Sequence, residues 1–255
     1  KNHPQWVDPQ ALGNIAKNLS NSRQIDDISN LKTDRVYLFR GAHDKCYLNG
    51  SMSNHRDFYS EFIRNPKSSI KLVNTLPFPH TLPLNTTPYA GHQTPAGYDG
   101  PGECLKWVFF PPNSARFAGK FDWTNVFEFD QMPFIDNYNA GFQEYGLLYI
   151  PKKCREKECR LVIYFQACGC GGVANDIIQG FGPWAETNDI VVMSPCTSKI
   201  PNNSSRTYPG SSEIARGCLD GYGQMGLDYA THEGVHMRVF GKMLKHIVGY
   251  EAEAV

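Results

Sequence analysis

The sequence predicts an α/β fold in which helices flank a mostly parallel central sheet. Five short runs are apolar and rich in β-branched and aromatic residues, a pattern typical of strands buried on both faces of a parallel sheet. Segments with apolar residues at helical spacing separate several of these runs. At 255 residues, without a linker-like tract, the chain is expected to form one α/β domain. The predicted strands cover residues 36–39, 70–74, 146–150, 160–165 and 189–194.

The first predicted helix spans residues 8–19. Asp8 can accept hydrogen bonds from the first free backbone N–H groups, and Pro9 suits the first turn. We interpret this helix as a cap or lid segment, because the sequence around it is polar while one of its faces is apolar. That face carries Leu12, Ile15, Ala16 and Leu19.

The next helix is predicted over residues 53–63, with Ser53 or Asn54 as its N-cap. The aromatic-rich residues 121–134 are expected to lie across the core. Residues 160–165 are nearly all apolar, which predicts a central strand buried on both faces. Further helices are predicted at 103–110, 177–185 and 231–248, the last with an apolar stripe of Val235, Val239, Phe240, Met243, Leu244 and Ile247.

Charge and hydropathy exclude several classes of partner. The 25 basic residues balance the 25 acidic ones, so nothing steers the chain towards nucleic acid or an anionic membrane. No apolar run approaches the roughly 20 residues that span a bilayer. We therefore expect neither a nucleic-acid partner nor a membrane partner, and no motif calls for a cofactor.

Eight cysteines and five N-glycosylation sequons favour an oxidising, extracellular compartment. Residue 1 is Lys and no signal-like segment precedes the domain, which suggests a processed product. The chain is thus predicted to be a secreted, proteolytically processed glycoprotein. The sequons are at Asn18, Asn49, Asn85, Asn202 and Asn203.

The cysteine spacing settles one pair and leaves others open. Cys154 and Cys159 have no histidine at zinc-finger spacing, so a disulfide is the better interpretation. Two later cysteines are expected to be disulfide partners rather than nucleophiles, but their connectivity does not follow from spacing. Either Cys168 or Cys170 can pair with Cys196 or Cys218.

A carboxylate and a histidine follow two of the predicted strands. The strand Val36–Phe39 stops before Gly41, which would present Asp44 at the carboxyl edge of the sheet, where α/β proteins build their sites. His80 follows the next strand on a stiff loop among three prolines. Acid before histidine is the second half of a Ser, Asp, His order. The plainer interpretation is that Asp44 only closes a turn and that His80 is a surface histidine.

Six motifs occur in one order along nearly the whole chain, at residues 36–44, 80–83, 97–102, 154–165, 184–192 and 228–234. In this order the chain resembles secreted poly(3-hydroxybutyrate) depolymerases of the circularly permuted α/β-hydrolase type. The resemblance implies that Asp44 is the acid and His80 the general base of a catalytic triad. It also implies that the backbone N–H of Cys168 is an oxyanion-hole donor, and that the substrate is a short hydroxyalkanoate ester or polyester.

The chain departs from this family at three places. No G-x-S-x-G nucleophile elbow occurs in the sequence, so we expect the serine, and the strand that carries it, on a separate N-terminal chain of the same precursor. Gln166 and Ala167 stand where the family has His-Gly, and residues 217–222 lack the tryptophans that the family carries there. These losses motivate an alternative function: a catalytically inactive hydrolase scaffold that acts as a binding or toxin-like protein.

One further motif competes with the triad. His232, Glu233 and His236 satisfy the H-E-x-x-H pattern that binds zinc when it lies on a helix. Gly234 weakens such a helix, and Val239 and Lys242 stand where a metzincin continues with Gly and His. We therefore expect no metal at this motif.

Overall fold

The computed structural model describes residues 3–84, 98–111, 116–136, 140–166, 168–169, 173–199 and 216–249. They form two compact units, Lys1–Phe117 and Ala118–Val255. The sequons at Asn85, Asn202 and Asn203 lie outside the described residues, as do Ala167 and Cys170. None of the described helices is long and apolar enough to cross a bilayer.

Among its described residues, the first unit contains a two-stranded parallel sheet with four α-helices. β1 pairs with β2 in parallel from Val36 opposite Ile70 to Phe39 opposite Val73, which confirms both predicted strands. The elements in chain order are a 3-10 turn at Pro4–Trp6, α1 at Pro9–Asn21, a 3-10 turn at Ile28–Thr33, β1 at Val36–Phe39, α2 at Ser51–Ser60, α3 at Pro66–Ser69, β2 at Ile70–Val73 and α4 at Gly100–Phe109.

The sequence predicted the N-cap of the first helix correctly but not that of the second. The Asp8 side chain accepts from the N–H groups of Gln10 and Ala11, as the capping rule expects. In contrast, Ser53 or Asn54 was the wrong choice of cap for α2. That helix begins at Ser51 after Gly50, whose left-handed φ of 101° reverses the chain at the start of the helix.

The predicted apolar face of α1 is exposed in part. Leu12 and Ile15 are 46% and 54% exposed, and Trp6 just before the helix is 75% exposed. The helical spacing is therefore right, but it does not translate into burial within the described residues.

The described part of the second unit contains a four-stranded mixed sheet with two α-helices. The strand order is β3-β4-β6-β5, in which β5 and β6 are parallel and β4 is antiparallel to both of its neighbours. The elements in chain order are β3 at Val126–Asp130, β4 at Tyr145–Tyr149, β5 at Arg160–Ile163, α5 at Val173–Asn188, β6 at Ile190–Ser194 and α6 at Val235–Val248, with short 3-10 turns at Trp123–Asn125, Met132–Phe134 and Lys152–Arg155.

Two strand predictions need correction. β5, expected to be central, is an edge strand of the described sheet and is only partly buried, whereas β6 is central. Residues 121–134 lie at the opposite edge of the sheet, because they include β3, and from there Phe129 and Phe134 pack against the core. An apolar run indicates that helices cover a strand, but it does not tell whether a further strand lies beside it.

One core cluster of the second unit lies between the sheet and α6. Val239 and Met243 of α6 pack with Met193 of β6, Ala140 and Phe142. α6 begins at Val235, later than predicted, because the ψ of 134° at Gly234 is not helical. The far side of the predicted stripe stays partly exposed, with Leu244 at 40%.

Met243 offers a test of this packing. Met243→Ala should lower the free energy of unfolding by about 2–5 kcal/mol, because a fully buried side chain leaves a cavity. Leu244→Ala, next to it on the exposed side, is the matched control and should cost less than about 1 kcal/mol. Denaturant unfolding of both variants measures the difference, and equal losses would contradict the described core.

Candidate active site

The loops that follow β1 and β2 run side by side beyond the sheet. Arg40 N–H donates to the Val73 carbonyl at 2.9 Å, where the strands end. Two more bonds continue the pairing, from Ala42 N–H to Leu76 O at 2.6 Å and from His43 N–H to Phe78 O at 3.1 Å. Because both strands are parallel, both loops leave the same edge, and their pairing brings residue 44 beside residue 80.

Gly41 lets the two loops approach this closely. A Cβ atom at this position would lie 1.9 Å from the Phe78 carbonyl oxygen and 2.7 Å from the Pro79 carbonyl oxygen. No real Cβ contact is that short, so only glycine fits between the loops. The glycine that ends the predicted strand therefore serves the site as well as the turn.

The structure places the predicted acid and base in contact. Asp44 Oδ2 lies 3.0 Å from His80 Nδ1. Asp44 is 8% exposed, whereas the His80 side chain is 54% exposed. The carboxylate is thus buried behind the ring, and the imidazole is accessible.

The second carboxylate oxygen of Asp44 is used by its own turn. Oδ1 accepts from the backbone N–H of Cys46 at 2.7 Å and of Tyr47 at 3.0 Å. The plain turn interpretation and the catalytic interpretation are therefore compatible, since each takes one oxygen. With four lone-pair sites on a carboxylate, three accepted bonds are readily accommodated.

Arg40 and Tyr47 complete the loop, and no sequence pattern singled them out. The buried Arg40 guanidinium donates from Nε to Tyr47 O at 2.6 Å and from Nη2 to Asp44 O at 2.9 Å. The Tyr47 ring lies 5.6 Å from the imidazole of His80, centroid to centroid. The only available signal was that Arg40 directly precedes Gly41.

The hydrogen bonds set the ionisation of Asp44. Burial alone would raise the pKa of the Asp44 carboxyl, but the bonds from His80 and from the N–H groups of Tyr47 and Cys46 outweigh it. The pKa of Asp44 therefore lies below its ordinary value, and the group is an anion at neutral pH. An anionic acceptor requires a proton on His80 Nδ1, which leaves Nε2 as the acceptor in the neutral ring. Among the described residues, Nε2 has no hydrogen-bond partner.

Cys168 lies in the second unit, at the end of the segment that follows β5. Its side chain forms a disulfide with Cys218, one of the pairings that spacing left open. Gln166, two residues earlier, is buried and donates from Nε2 to Ser194 Oγ at 2.9 Å. Its Oε1 accepts no hydrogen bond among the described residues.

The predicted disulfide between Cys154 and Cys159 is present, with sulfurs 2.04 Å apart. Within the described residues, Cys46 and Cys104 carry free thiols. Cys104 lies in α4, where burial raises the pKa of its thiol to about 11. Cys46 is exposed in the turn after Asp44. Of the sequons, Asn18 and Asn49 are described, and both are exposed.

The H-E-x-x-H pattern does not form a helical metal-binding face. α6 begins at Val235, so His232 and Glu233 precede the helix. His236 is buried, and both of its ring nitrogens contact the backbone: Nδ1 accepts from Asp220 N–H at 2.8 Å, and Nε2 lies 2.7 Å from Ala140 O. Within the described ranges no cluster of metal-ligating side chains occurs.

Comparison with solved structures identifies the fold. The chain superimposes on a PHB depolymerase complexed with an R3HB trimer with a TM-score of 0.79, at 23% identity, over 96% of this chain and 79% of that one. It superimposes equally well on the PHB depolymerase from Penicillium funiculosum, with a TM-score of 0.78 at 23% identity, over 95% and 79%. The chain therefore has the α/β-hydrolase-like fold of these proteins, as the sequence predicted.

Two relatives found by sequence comparison are also named as depolymerases. The chain is 24% identical to the poly(3-hydroxybutyrate) depolymerase of Delftia acidovorans over 96% of its length, and it spans 48% of that protein. It is 26% identical to the polyhydroxybutyrate depolymerase of Talaromyces funiculosus over 88% of its length, and it spans 69% of that protein. No protein-family profile matches the chain. The resemblance to PHB depolymerases inferred from the motifs is thus confirmed, whereas the circular permutation stays a prediction. The chain covers about half of the Delftia relative.

Gly41→Ala tests the approach of the two loops. The added methyl group would collide with the Phe78 carbonyl, so the loops must separate and the contact between Asp44 and His80 should be lost. We expect the NMR chemical shifts of the His80 ring to change and the free energy of unfolding to fall by about 1–3 kcal/mol. Gly241→Ala is the matched control, since a Cβ there meets no atom within 4 Å. Unchanged His80 ring shifts in Gly41→Ala would contradict this account.

The lowered pKa of Asp44 predicts a pH-dependent contribution to stability. A depressed pKa stabilises the fold above the unfolded value of about 3.9, and this contribution is lost as the pH falls through the lower folded value. Asp44→Asn should therefore be less stable than the wild type at pH 7, by about 1–3 kcal/mol. The gap should narrow below about pH 4. Unfolding curves from pH 7 to pH 2 measure it, and a constant gap would refute the ionised, hydrogen-bonded Asp44.

Proposed function

We propose that the protein is a secreted serine ester hydrolase that acts on short hydroxyalkanoate esters or polyesters. The observation that carries this proposal is the 3.0 Å contact between a buried Asp44 and a half-exposed His80. The names of the relatives support the substrate class, since all of them are called PHB or polyhydroxybutyrate depolymerases.

In the proposed reaction, His80 Nε2 removes the proton from a serine hydroxyl as the serine oxygen attacks the ester carbonyl carbon. The π electrons of the carbonyl move to its oxygen, and the Cys168 N–H stabilises the resulting negative charge. The intermediate then expels the alcohol, which takes the proton from Nε2, and an acyl-enzyme remains. Water then attacks the acyl-enzyme in the same way, which releases the acid and restores the serine. Asp44 stays ionised throughout and stabilises the imidazolium.

We propose further that the serine comes from polypeptide outside these 255 residues, an N-terminal chain of the same precursor. His80 Nε2 has no partner within the described ranges, which leaves it available to a hydroxyl. In a circularly permuted α/β hydrolase, such a segment would carry the nucleophile strand.

The edge strand β5 supports this second chain. Helices cover both faces of its extension: Tyr164 contacts Phe181 of α5 and Phe165 contacts Phe240 of α6, with ring centroids 5.6 and 4.7 Å apart. Nonetheless, no described strand pairs with the outer edge of β5. Proteins seldom leave such an apolar edge unpaired. We propose that the nucleophile-bearing strand pairs there.

Secretion and glycosylation belong to the same proposal. Disulfides such as that of Cys154 and Cys159 persist in oxidising compartments. Asn18 and Asn49 are exposed and thus open to modification. The alternative of an inactive binding scaffold rests on Gln166, Ala167 and the missing tryptophans at residues 217–222, and the comparisons do not favour it.

Activity-based labelling tests the proposed function. A fluorophosphonate should label a serine on the polypeptide that copurifies with this chain, and mass spectrometry locates it. In this sample, His80→Ala should lower kcat by about 10³–10⁶-fold with little change in fold, because the serine loses its base. His55→Ala, an exposed histidine of α2, is the matched control and should leave kcat unchanged. Absence of labelling in an intact two-chain sample would support the inactive scaffold instead.

A further inference from the structure

Three separate stretches of the second unit are joined around Cys168. We call this group the clamp: Cys168, Gly169, Thr197, Gly217 and Cys218. Cys168 and Cys218 form a disulfide, and Gly169 N–H donates to Gly217 O at 2.9 Å. Thr197 Oγ1 donates to the same carbonyl. The clamp thus ties the segment after β5 to residues almost 50 positions later.

The glycines of the clamp bring two backbones together. Gly169 and Gly217 have φ angles of 77° and 80°, in the left-handed region. A Cβ atom on Gly217 would lie 2.9 Å from Ser198 O and 3.2 Å from the Cα of Gly169. No side chain therefore separates the two backbone segments of the clamp at Gly169 and Gly217. The disulfide restrains the backbone of residue 168 next to them.

The clamp holds a backbone donor that no described residue accepts from. Cys168 is exposed, and its N–H donates to no acceptor among the described residues. On the other side, the segment is anchored by Gln166, which is buried and donates to Ser194 Oγ. A donor that is fixed in place before the reaction stabilises developing negative charge most effectively.

We propose that the Cys168–Cys218 disulfide is a positioning element for catalysis, and that it acts by fixing the Cys168 N–H. This inference rests on the proposed function, in which that N–H stabilises the tetrahedral intermediate. The sulfur atoms take no part in bond making or breaking. Without the disulfide, the donor would sample more positions, which weakens transition-state binding but not the binding of the ester in its ground state.

A comparison of the two disulfides tests this inference in the full two-chain protein. The double variant Cys168→Ala with Cys218→Ala keeps the backbone N–H and leaves no new thiol. We expect kcat to fall by about 10- to 100-fold, less than the 10²–10³ that removal of a donor costs, with KM changed by less than about twofold. Cys154→Ala with Cys159→Ala is the matched control, because it removes the disulfide of a short turn, and kcat should stay unchanged.

Stability must be separated from catalysis in this comparison. The Cys168–Cys218 bond spans 50 residues and the control bond spans 5, so the first loss should destabilise the fold more. Both variants are therefore assayed well below their melting temperatures, with circular dichroism as the check on folding. A milder variant, Thr197→Val, keeps the disulfide but removes the hydroxyl donor to Gly217. It should lower kcat, and Thr197→Ser should restore it.

The outcomes separate this inference from the proposed function. If the folded double variants have equal kcat values, the disulfide has no positioning role. If KM rises while kcat is kept, the clamp binds substrate and the inference is likewise wrong. If the wild-type two-chain protein hydrolyses no ester, the proposed function itself fails, and the inference fails with it.

Discussion

The close approach of Gly41 to the Phe78 carbonyl is the constraint on which the candidate site depends. Parallel strands bring two loops to one edge of a sheet, but they do not by themselves bring two side chains into contact. The loops must stay paired for several residues beyond the strands. Only a residue without a Cβ allows that pairing here. Asp44 then lies behind His80, and its second oxygen closes the turn that holds it in place.

The sequence predicted that Asp44 and His80 belong to one site because their order along the chain suggested it. An apolar run, a glycine and a carboxylate after one strand, and a histidine after the next, are local patterns. The same holds for the disulfide of Cys154 and Cys159, which lie so close along the chain that few other partners can compete. Capping at Asp8 was equally local and equally predictable.

Features set by distant residues could not be predicted in this way. The edge position of β5 depends on which strands lie beside it, and its composition reports only the helices above and below. Arg40 was unpredictable because its partners are backbone carbonyls, which carry no sequence signal. The pairing of Cys168 with Cys218 spans 50 positions, and four cysteines leave three connectivities open.

Two histidines show how the partner of a ring decides its role. Both ring nitrogens of His236 contact the backbone: Nδ1 accepts from Asp220 N–H, and Nε2 lies beside the Ala140 carbonyl. Burial lowers the pKa of His236, so the ring stays neutral and both of its nitrogens are occupied. His80 instead has a carboxylate on one nitrogen and no described partner on the other. A carboxylate stabilises a ring that gains a proton, whereas a backbone N–H donated to the ring opposes it. His80 is therefore the ring suited to proton transfer, and His236 is suited to structure, although the H-E-x-x-H motif singled out the second.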